Sequence, residues 1–181
     1  MKKLIIQIPC LNEAATLPAT VQDLPKSVPG IDVIETLVIA GHGTQRQAFE
    51  TLAASLGLDG RVRFEGEVSD EALLDLYAGA LGVIFPPYDE DFGYVTLEAF
   101  LARKPVITCT DSGGPTEFVD DGVNGRVCEP SAEAIAVAIN QFAGKRALAA
   151  SMGEAGRAVA ARITWDGVVE KLVGSGRATV P

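Results

Sequence analysis

Short apolar runs alternate along the chain with segments in which apolar residues recur at helical spacing. Each run is 4–8 residues long and ends at a proline, a glycine or a polar cluster, which predicts β-strands. The predicted strands comprise residues 4–8, 33–40, 61–65, 81–85, 106–109 and 125–128. The intervening segments predict amphipathic helices, and Thr44, Ser69 and Ser131 stand at positions suited to helix N-caps.

Regular alternation of strands and helices predicts an α/β fold with a parallel sheet. We expect a Rossmann-like, doubly wound sheet of about six strands in the order 3-2-1-4-5-6, with helices on both faces. In such a sheet ligands bind outside the carboxyl ends of the strands, where the strand order reverses. The loops after the first and fourth strands, residues 9–13 and 86–93, are therefore expected to border the ligand crevice.

The whole chain, residues 1–181, is expected to form a single domain, since 181 residues suit one domain with a real core. Near the C-terminus, one apolar stripe at helical spacing predicts either core or a domain-docking surface. It comprises Trp165, Val168, Val169 and Leu172. Residues 174–181 are expected to be a frayed tail.

Composition predicts a soluble, cytoplasmic protein. Hydrophobic residues make up 48% of the chain, but no uninterrupted apolar run approaches the ~20 residues that span a bilayer. A net charge of -9 argues against nonspecific binding to nucleic acids or anionic membranes, which needs clustered basic residues.

The three cysteines, Cys10, Cys109 and Cys128, lack metal-type spacing and are expected to be reduced and mostly buried. No signal-peptide pattern follows Met1.

The connection between the fourth strand and the next helix concentrates the candidate chemistry. It reads Phe-Pro-Pro-Tyr-Asp-Glu-Asp-Phe-Gly-Tyr-Val-Thr-Leu-Glu-Ala-Phe over residues 85–100 and holds four carboxylates. A helix N-terminus at the carboxyl edge of a sheet offers free N–H groups to an anion. Acidic side chains beside such a site suit a ligand that also carries hydroxyl groups, and a sugar joined to a diphosphate has both features.

This segment resembles the paired-glutamate signature of the family 4 retaining glycosyltransferases. Glu90 is followed by seven residues that include Phe92-Gly93, and then by Glu98. The resemblance continues through residues 104–107, 111–119 and 121–125, reaches back to 37–41, and covers about 37–173 in all. It implies the nucleotide-sugar-binding C-terminal half of a two-domain enzyme of the GT-B type.

The resemblance implies a role for each residue of this segment. Glu90 would contact the donor hexose near its reacting carbon, and Glu98 would hydrogen-bond the ribose. The backbone amides from Gly93 to Thr96 would face the sugar and the phosphates. The substrate-binding set implied here comprises Glu98, Phe92, Gly93, Tyr94, Val95 and Thr96. One departure from the family pattern is Asp91, where a glycine usually follows the first glutamate.

Simpler interpretations of these residues stay open. Glu98 suits the start of a helix through the helix dipole alone, and the residues around Glu90 suit a solvated acidic loop. Gly113 and Gly114, in a glycine-rich turn, suit either phosphate or sugar binding or a plain tight turn. If the family chemistry holds, the reaction is retaining glycosyl transfer with no metal and no cofactor beyond the nucleotide sugar.

The first 39 residues resemble a different family. Ile-Ile-Gln-Ile-Pro-Cys-Leu-Asn-Glu-Ala-Ala-Thr-Leu, over residues 5–17, is similar to the opening of the family 2 (GT-A) glycosyltransferases. Residues 40–173 follow family 4, so the chain is interpreted as a hybrid joined near residues 37–40, by natural recombination or by engineering. The Arg/Lys pair with which family 4 neutralises the leaving diphosphate is missing, and Asn12 and Glu13 occupy the corresponding loop.

Three hypotheses follow. The first is a glycosyltransferase-type domain that binds a nucleotide sugar and depends on a separate acceptor-binding domain or chain for activity. The second is a non-catalytic chimaeric α/β domain with little or no nucleotide-sugar activity. The third, a family 2 enzyme, lacks that family's metal-binding aspartates. Supply of positive charge beside the crevice discriminates among them, and the nearest cations in sequence are Arg103, Lys104 and Arg126.

Overall fold

The computed structural model describes residues 6–9 and 37–174, which form a parallel sheet flanked by helices. The strands are β1 (Ile6–Pro9), β2 (Leu37–Ala40), β3 (Val62–Gly66), β4 (Gly82–Ile84), β5 (Val106–Cys109) and β6 (Gly125–Cys128). The helices are α1 (Arg46–Ser55), α2 (Asp70–Gly79), α3 (Tyr94–Leu101), α4 (Pro115–Phe118), α5 (Ala132–Gly144), α6 (Arg146–Ala160) and α7 (Trp165–Gly174).

All neighbouring strands pair in parallel, in the order β3-β2-β1-β4-β5-β6. The doubly wound α/β fold class is confirmed, and this order agrees with the one expected from the sequence. Because the chain moves outward from β1 to β3 and then returns to place β4 on the other side of β1, the order reverses between β1 and β4.

Alternate strand residues enter two apolar clusters, one on each face of the sheet. Ile84 and Ile107 belong to the cluster covered by α1 and α5, whereas Val83, Phe85 and Val106 belong to the cluster covered by α2 and α3. This alternation follows from the two-residue period of a β-strand. Strands buried on both faces explain the near-continuous apolar runs in the sequence.

Helix α6 packs closely against α3 and the turn that follows it. A Cβ added to Gly153 would overlap the carbonyl oxygen of Arg103, and one added to Gly156 would overlap the ring of Phe100. Phe100 is fully buried. The two glycines therefore let backbone and ring approach the helix without an intervening side chain.

Two of the three predicted helix caps are confirmed. The Ser69 hydroxyl accepts a hydrogen bond from the N–H of Ala72 at 3.3 Å, and the Ser131 hydroxyl accepts one from Ala134 at 3.2 Å. The prediction for Thr44 is wrong, because α1 begins at Arg46 with Gln45 as its N-cap and no side-chain cap. Cys109 and Cys128 are buried, as predicted.

The apolar stripe of α7 does not join the core. Trp165 is 84% exposed and Leu172 is 72% exposed, so the core interpretation of this stripe is wrong. The docking-surface interpretation stays a prediction. Residues 1–5, 10–36 and 175–181, with Cys10, Asn12, Glu13 and nearly all of the predicted tail, lie outside the described residues. No helix among the residues described is long and apolar enough to cross a membrane.

Candidate functional site at the carboxyl edge of the sheet

The carboxyl ends of β1, β4 and β5 lie at one edge of the sheet, where the strand order reverses. The chain leaves β1 at Pro9 beside β4, and the loops after β4 and β5 comprise residues 85–93 and 110–114. Because the strands are parallel, all three connections begin at the same edge of the sheet. The predicted position of the ligand crevice thus coincides with the reversal point of the observed sheet.

Backbone hydrogen bonds join the loop after β4 to the loop after β5. The Glu90 N–H donates to the carbonyl of Ser112 at 3.2 Å, and the Gly114 N–H donates to the carbonyl of Glu90 at 2.7 Å. Glu90 and Gly113 also form an isolated parallel β-bridge. Both the N–H and the carbonyl of Glu90, the residue expected at the reacting carbon, are therefore held by the loop after β5.

Glycines make this approach possible. A Cβ on Gly113 would lie 2.6 Å from the Glu90 carbonyl oxygen, and a Cβ on Gly114 would lie 2.7 Å from both the Asp91 oxygen and the Phe92 Cα. Gly113 also has φ +67°, a conformation that side chains disfavour. The Gly114 amide donates to the Glu90 carbonyl, so Gly114 supports the neighbouring loop. Its part in binding a phosphate or a sugar stays a prediction.

The loop after β4 holds one residue in a strained conformation. Asp89 is not a glycine, yet its φ is +48°. Its N–H donates to the Asp111 carbonyl at 2.9 Å, so a bond to the neighbouring loop helps to hold this backbone shape. Non-glycine residues with positive φ cost on the order of 1 kcal/mol and persist where the surroundings over-determine them.

Helix α3 presents part of its N-terminus to this edge. Its N-cap, Gly93, is left-handed with φ 75°, and a Cβ there would lie 2.6 Å from Pro115 Cγ. The Thr96 N–H donates to the Gly93 carbonyl at 2.9 Å, so that predicted amide donor is already engaged. Among the residues described, the amides of Tyr94 and Val95 have no hydrogen-bond partner, as expected at the first helical positions.

The two predicted acidic residues differ in their contacts. Glu90 is exposed and precedes the helix, whereas Glu98 lies on α3, where its Oε2 accepts a hydrogen bond from the Tyr77 hydroxyl at 2.9 Å. Tyr77, on α2, is only 3% exposed. Burial, and then the nearby Glu98 carboxylate, raise the pKa of Tyr77 well above its usual range.

Sequence reasoning assigned Tyr77 to the apolar face of its helix and missed its polar contact. Its spacing relative to Leu73 and Ala80 is that of a core residue, and its ring does pack in the cluster between α2, α3 and the sheet. A tyrosine at a core position does predict a polar contact, because a buried tyrosine hydroxyl usually finds a hydrogen-bond partner. The identity of that partner depends on how α2 and α3 pack, which brings together two residues 21 positions apart in the sequence.

Phe92 lies in a small aromatic group beside the helix start. Its ring centroid is 4.8 Å from that of Tyr94 and 5.2 Å from that of Phe118, and the contact with Phe118 is edge-on. Phe92 is 38% exposed and Tyr94 is 71% exposed. These rings therefore form a partly open apolar wall next to the free amides of α3.

The three cations nearest in sequence do not supply charge to this edge. Arg103 and Lys104 directly precede β5 and so lie at its amino end, opposite the site. Their partners are Glu154 for Arg103 (3.4 Å), the Ala78 carbonyl for Lys104 (3.0 Å) and Asp121 for Arg126 (3.0 Å). Burial also lowers the pKa of Lys104. Helix amides thus remain as the electropositive groups identified at the site.

No cluster of three or more His, Cys, Asp or Glu residues suited to a metal ion occurs in the part of the chain that the structure covers.

Known proteins match both the sequence and the fold. The profile of the family described as "Glycosyl transferases group 1" matches residues 22–159. The chain is 37% identical over 116 residues to the mouse (Mus musculus) alpha-1,3/1,6-mannosyltransferase ALG2, covering 64% of this chain and 28% of that protein. It is 32% identical over 165 residues to a D-inositol 3-phosphate glycosyltransferase of Corynebacterium urealyticum, covering 90% of this chain and 38% of the relative.

The structural likeness extends over nearly the whole chain. The crystal structure of Anabaena Alr3699/HepE in complex with UDP superposes with a TM-score of 0.79 at 22% sequence identity, covering 99% of this chain and 50% of that chain. At this identity the likeness shows the fold alone. The chain spans about a third of the length of these curated relatives and half of the solved chain.

Proposed function

The chain belongs to the group 1 glycosyltransferases, and on that premise we propose that it binds a nucleotide-diphosphate sugar for glycosyl transfer. The observation that carries the proposal is the geometry at the carboxyl edge. There, two glutamates flank the free amides that open α3, and the loop bearing the first of them is fixed by backbone hydrogen bonds. The structure of Anabaena Alr3699/HepE, which shares this fold, contains UDP, and this supports a nucleotide ligand.

We assign the acidic residues by their position relative to α3, Glu90 before its start and Glu98 within it. Glu90 contacts the donor hexose near its reacting carbon, because its backbone is held where the sheet edge opens and its side chain is exposed. Glu98 hydrogen-bonds the ribose through Oε1, since Oε2 is engaged by Tyr77. Phe92 and Tyr94 line the same opening and pack beside the sugar or the base.

The diphosphate is assigned to the start of α3. The amides of Tyr94 and Val95 are free, and a helix N-terminus stabilises an anion through these donors and through the helix dipole. Gly93 is needed for the left-handed turn that directs them, and Gly113 and Gly114 place the supporting loop. Thr96 contributes through the helix turn, because its own amide and side chain are not available to a ligand.

The full reaction is proposed to be retaining transfer that needs no metal and that requires a further domain for the acceptor. The chain spans half or less of the relatives named above, which supports a second unit, either in the same polypeptide or as a separate chain. No Arg/Lys pair of the family 4 kind occurs between Pro9 and Leu24. Turnover by these 181 residues alone is therefore expected to be weak or absent, whereas donor binding is expected.

We retain the hybrid origin as a narrower proposal. The family match begins at residue 22, and one relative matches 90% of the chain. The join of a hybrid would therefore lie before residue 22, not near residues 37–40. The resemblance to family 2 rests on residues 5–17. Since Asn12 and Glu13 take the place of the Arg/Lys pair of family 4 in the sequence, Glu13 is expected to repel the diphosphate. A Glu13→Lys variant should then bind UDP more tightly, and unchanged affinity would contradict this placement.

The alternative of a non-catalytic chimaeric domain without nucleotide-sugar activity is not favoured by the family match. It makes a distinct prediction, because such a domain would melt cooperatively and bind no nucleotide.

Isothermal titration with UDP, GDP and their hexose conjugates tests the proposal. The wild type is expected to bind at least one nucleotide. Glu98→Gln should weaken both the nucleotide and its hexose conjugate by about tenfold, because a hydrogen bond to a charged acceptor contributes about 1.5–3 kcal/mol. Glu90→Gln should weaken only the hexose conjugate, since its contact is to the sugar.

Glu154→Gln is the matched control. It makes the same charge change at a glutamate paired with Arg103 on the opposite edge of the sheet. Its affinities should equal those of the wild type. No heat from any nucleotide with a cooperatively folded wild type would overturn the proposed function.

A further inference from the structure

The hydroxyl of Tyr77 is a polar group at the border between the apolar cluster and the candidate site. Its side chain is almost wholly buried among residues of α2, α3 and the sheet, including Val83, Phe85 and Phe100. Its one polar atom nevertheless reaches the carboxylate of Glu98, which lies on the exposed side of α3. The pair thus links the rigid interior directly to a side chain at the ligand edge.

The chemistry of this pair fixes the direction of the hydrogen bond. Burial and the adjacent Glu98 carboxylate raise the pKa of Tyr77, so the hydroxyl keeps its proton throughout the neutral range and donates. An ionised carboxylate only accepts. Oε2 is therefore committed to Tyr77, and Oε1 is the oxygen that remains to accept from a ligand hydroxyl.

A solvent-exposed glutamate side chain samples several rotamers, and ordering it on ligand binding costs conformational entropy. Among the residues that the structure covers, the Tyr77 bond is the one side-chain hydrogen bond to Glu98, and the aromatic ring that makes it is locked by packing. A carboxylate held in place before the ligand arrives binds it without that cost.

We propose that Tyr77 is a positioning residue that orients the Glu98 carboxylate for the ribose hydroxyls of the nucleotide. This inference rests on the proposed function and adds a specific determinant of ribose recognition. Tyr77 itself does not touch the ligand in this scheme, because its hydroxyl is engaged by Oε2 and its ring is buried.

The test uses Tyr77→Phe, which keeps the ring and removes only the hydroxyl. The probes are UDP and GDP, each compared with its 2′,3′-dideoxy form, which lacks both ribose hydroxyls. The wild type should prefer the ribonucleotide. In Tyr77→Phe the ribonucleotide should bind about 3- to 10-fold more weakly while the dideoxy nucleotide is unchanged, so the preference collapses.

A merely structural role for Tyr77 gives a different result. It would weaken the ribonucleotide and the dideoxy nucleotide by the same factor, and that outcome would overturn the inference. In a Glu98→Gln background, Tyr77→Phe should change the preference little, because the oriented carboxylate is already gone. A full additional loss there would also contradict the proposal.

The failure of each proposal has its own signature. If the wild type binds no nucleotide, the proposed function fails and this inference fails with it. If the wild type binds and keeps its ribose preference in Tyr77→Phe, only the inference fails. If Tyr77→Phe does not fold, Tyr77→Leu replaces it, since leucine keeps an apolar side chain at this buried position, also lacks the hydroxyl and leaves Glu98 intact.

Discussion

Two regions of the molecule use glycine to bring backbone into close contact, and they do so for different ends. Between α6 and the end of α3, Gly153 and Gly156 face the Arg103 carbonyl and the buried ring of Phe100. At the carboxyl edge, Gly113 and Gly114 face the backbone of residues 89–92. The first contact is a packed layer of the core, whereas the second holds an exposed acidic loop whose side chains are free to meet a ligand.

Glycine therefore serves stability in the helix contact and preorganisation in the loop contact. In the helix contact, the approaching groups gain burial and dispersion, which stabilise the fold directly. In the loop contact, the approach is secured by a few hydrogen bonds between loops, and what it fixes is the position of Glu90. Substitutions in the helix contact should therefore lower mainly the free energy of unfolding, whereas substitutions in the loop contact should weaken mainly ligand binding.

The largest effect is expected from Gly153→Ala. The added methyl overlaps a backbone carbonyl that cannot rotate away, so we expect a loss of about 3 kcal/mol in the free energy of unfolding, more than the ~1 kcal/mol by which alanine favours a helix. Urea denaturation measures it. Gly144→Ala, in α5, is the control, because a Cβ there meets nothing within 4 Å. Equal stability of the two variants would contradict the packing argument.

An intermediate effect is expected from Gly114→Ala. The φ of Gly114 is -46°, which alanine adopts readily, so the substitution acts only by pushing the Asp91 and Phe92 backbone away. We expect about tenfold weaker binding of the hexose conjugate, since misplacing one charged hydrogen bond costs about 1.4 kcal/mol or more, with a smaller loss of stability than in Gly153→Ala. Isothermal titration and urea denaturation of the same sample measure both quantities. A large loss of stability with unaltered affinity would show that the glycine turn after β5 serves stability and not binding.

The smallest effect is expected from Tyr77→Phe, at the border between the apolar cluster and the candidate site. Its pKa is raised above the model-peptide value of 10.0 on folding, so the unfolded chain loses this proton first as the pH rises. The stabilising contribution is complete below pH 10 and declines above it, by about 1.4 kcal/mol at pH 11. The stability difference between wild type and Tyr77→Phe should therefore shift in favour of the variant between pH 9 and pH 11.

Urea denaturation at those two pH values measures the shift. Tyr88→Phe is the control, because Tyr88 is 81% exposed. A pH-independent difference for Tyr77→Phe would show that the hydroxyl is not buried as described.

Patterns with a local cause were predictable from the sequence. The two-residue and helical periods set the α/β class, and Ser69 and Ser131 marked helix starts because a cap depends on residues only three positions away. The motif from Glu90 to Glu98 pointed to the loop after β4, and the family match agrees with that resemblance. The cap predicted at Thr44 was wrong, since α1 begins only at Arg46, whose side chain donates to the Phe64 carbonyl of β3 and to Glu50 one turn along the same helix.

Other features were decided only by the tertiary structure. Lys104 is near the crevice residues in sequence. The chain direction of β5, however, puts this lysine at the opposite edge of the sheet, where it donates to the Ala78 carbonyl. The apolar stripe of α7 suited a core, yet the fold leaves Trp165 exposed, because a periodic pattern does not say what a face packs against.

The amino-acid sequence alone was enough to predict the α/β class and the family of the chain, since these depend on local periods and on motifs taken in order. The acidic pair that it proposed, Glu90 and Glu98, stays a prediction. The packing of the elements fixed which groups from different elements meet: Glu90 with the glycine turn after β5, and Glu98 on α3 with Tyr77 on α2. Such pairs join residues about 20 positions apart, and their contact depends on how strands and helices pack, which no local pattern encodes.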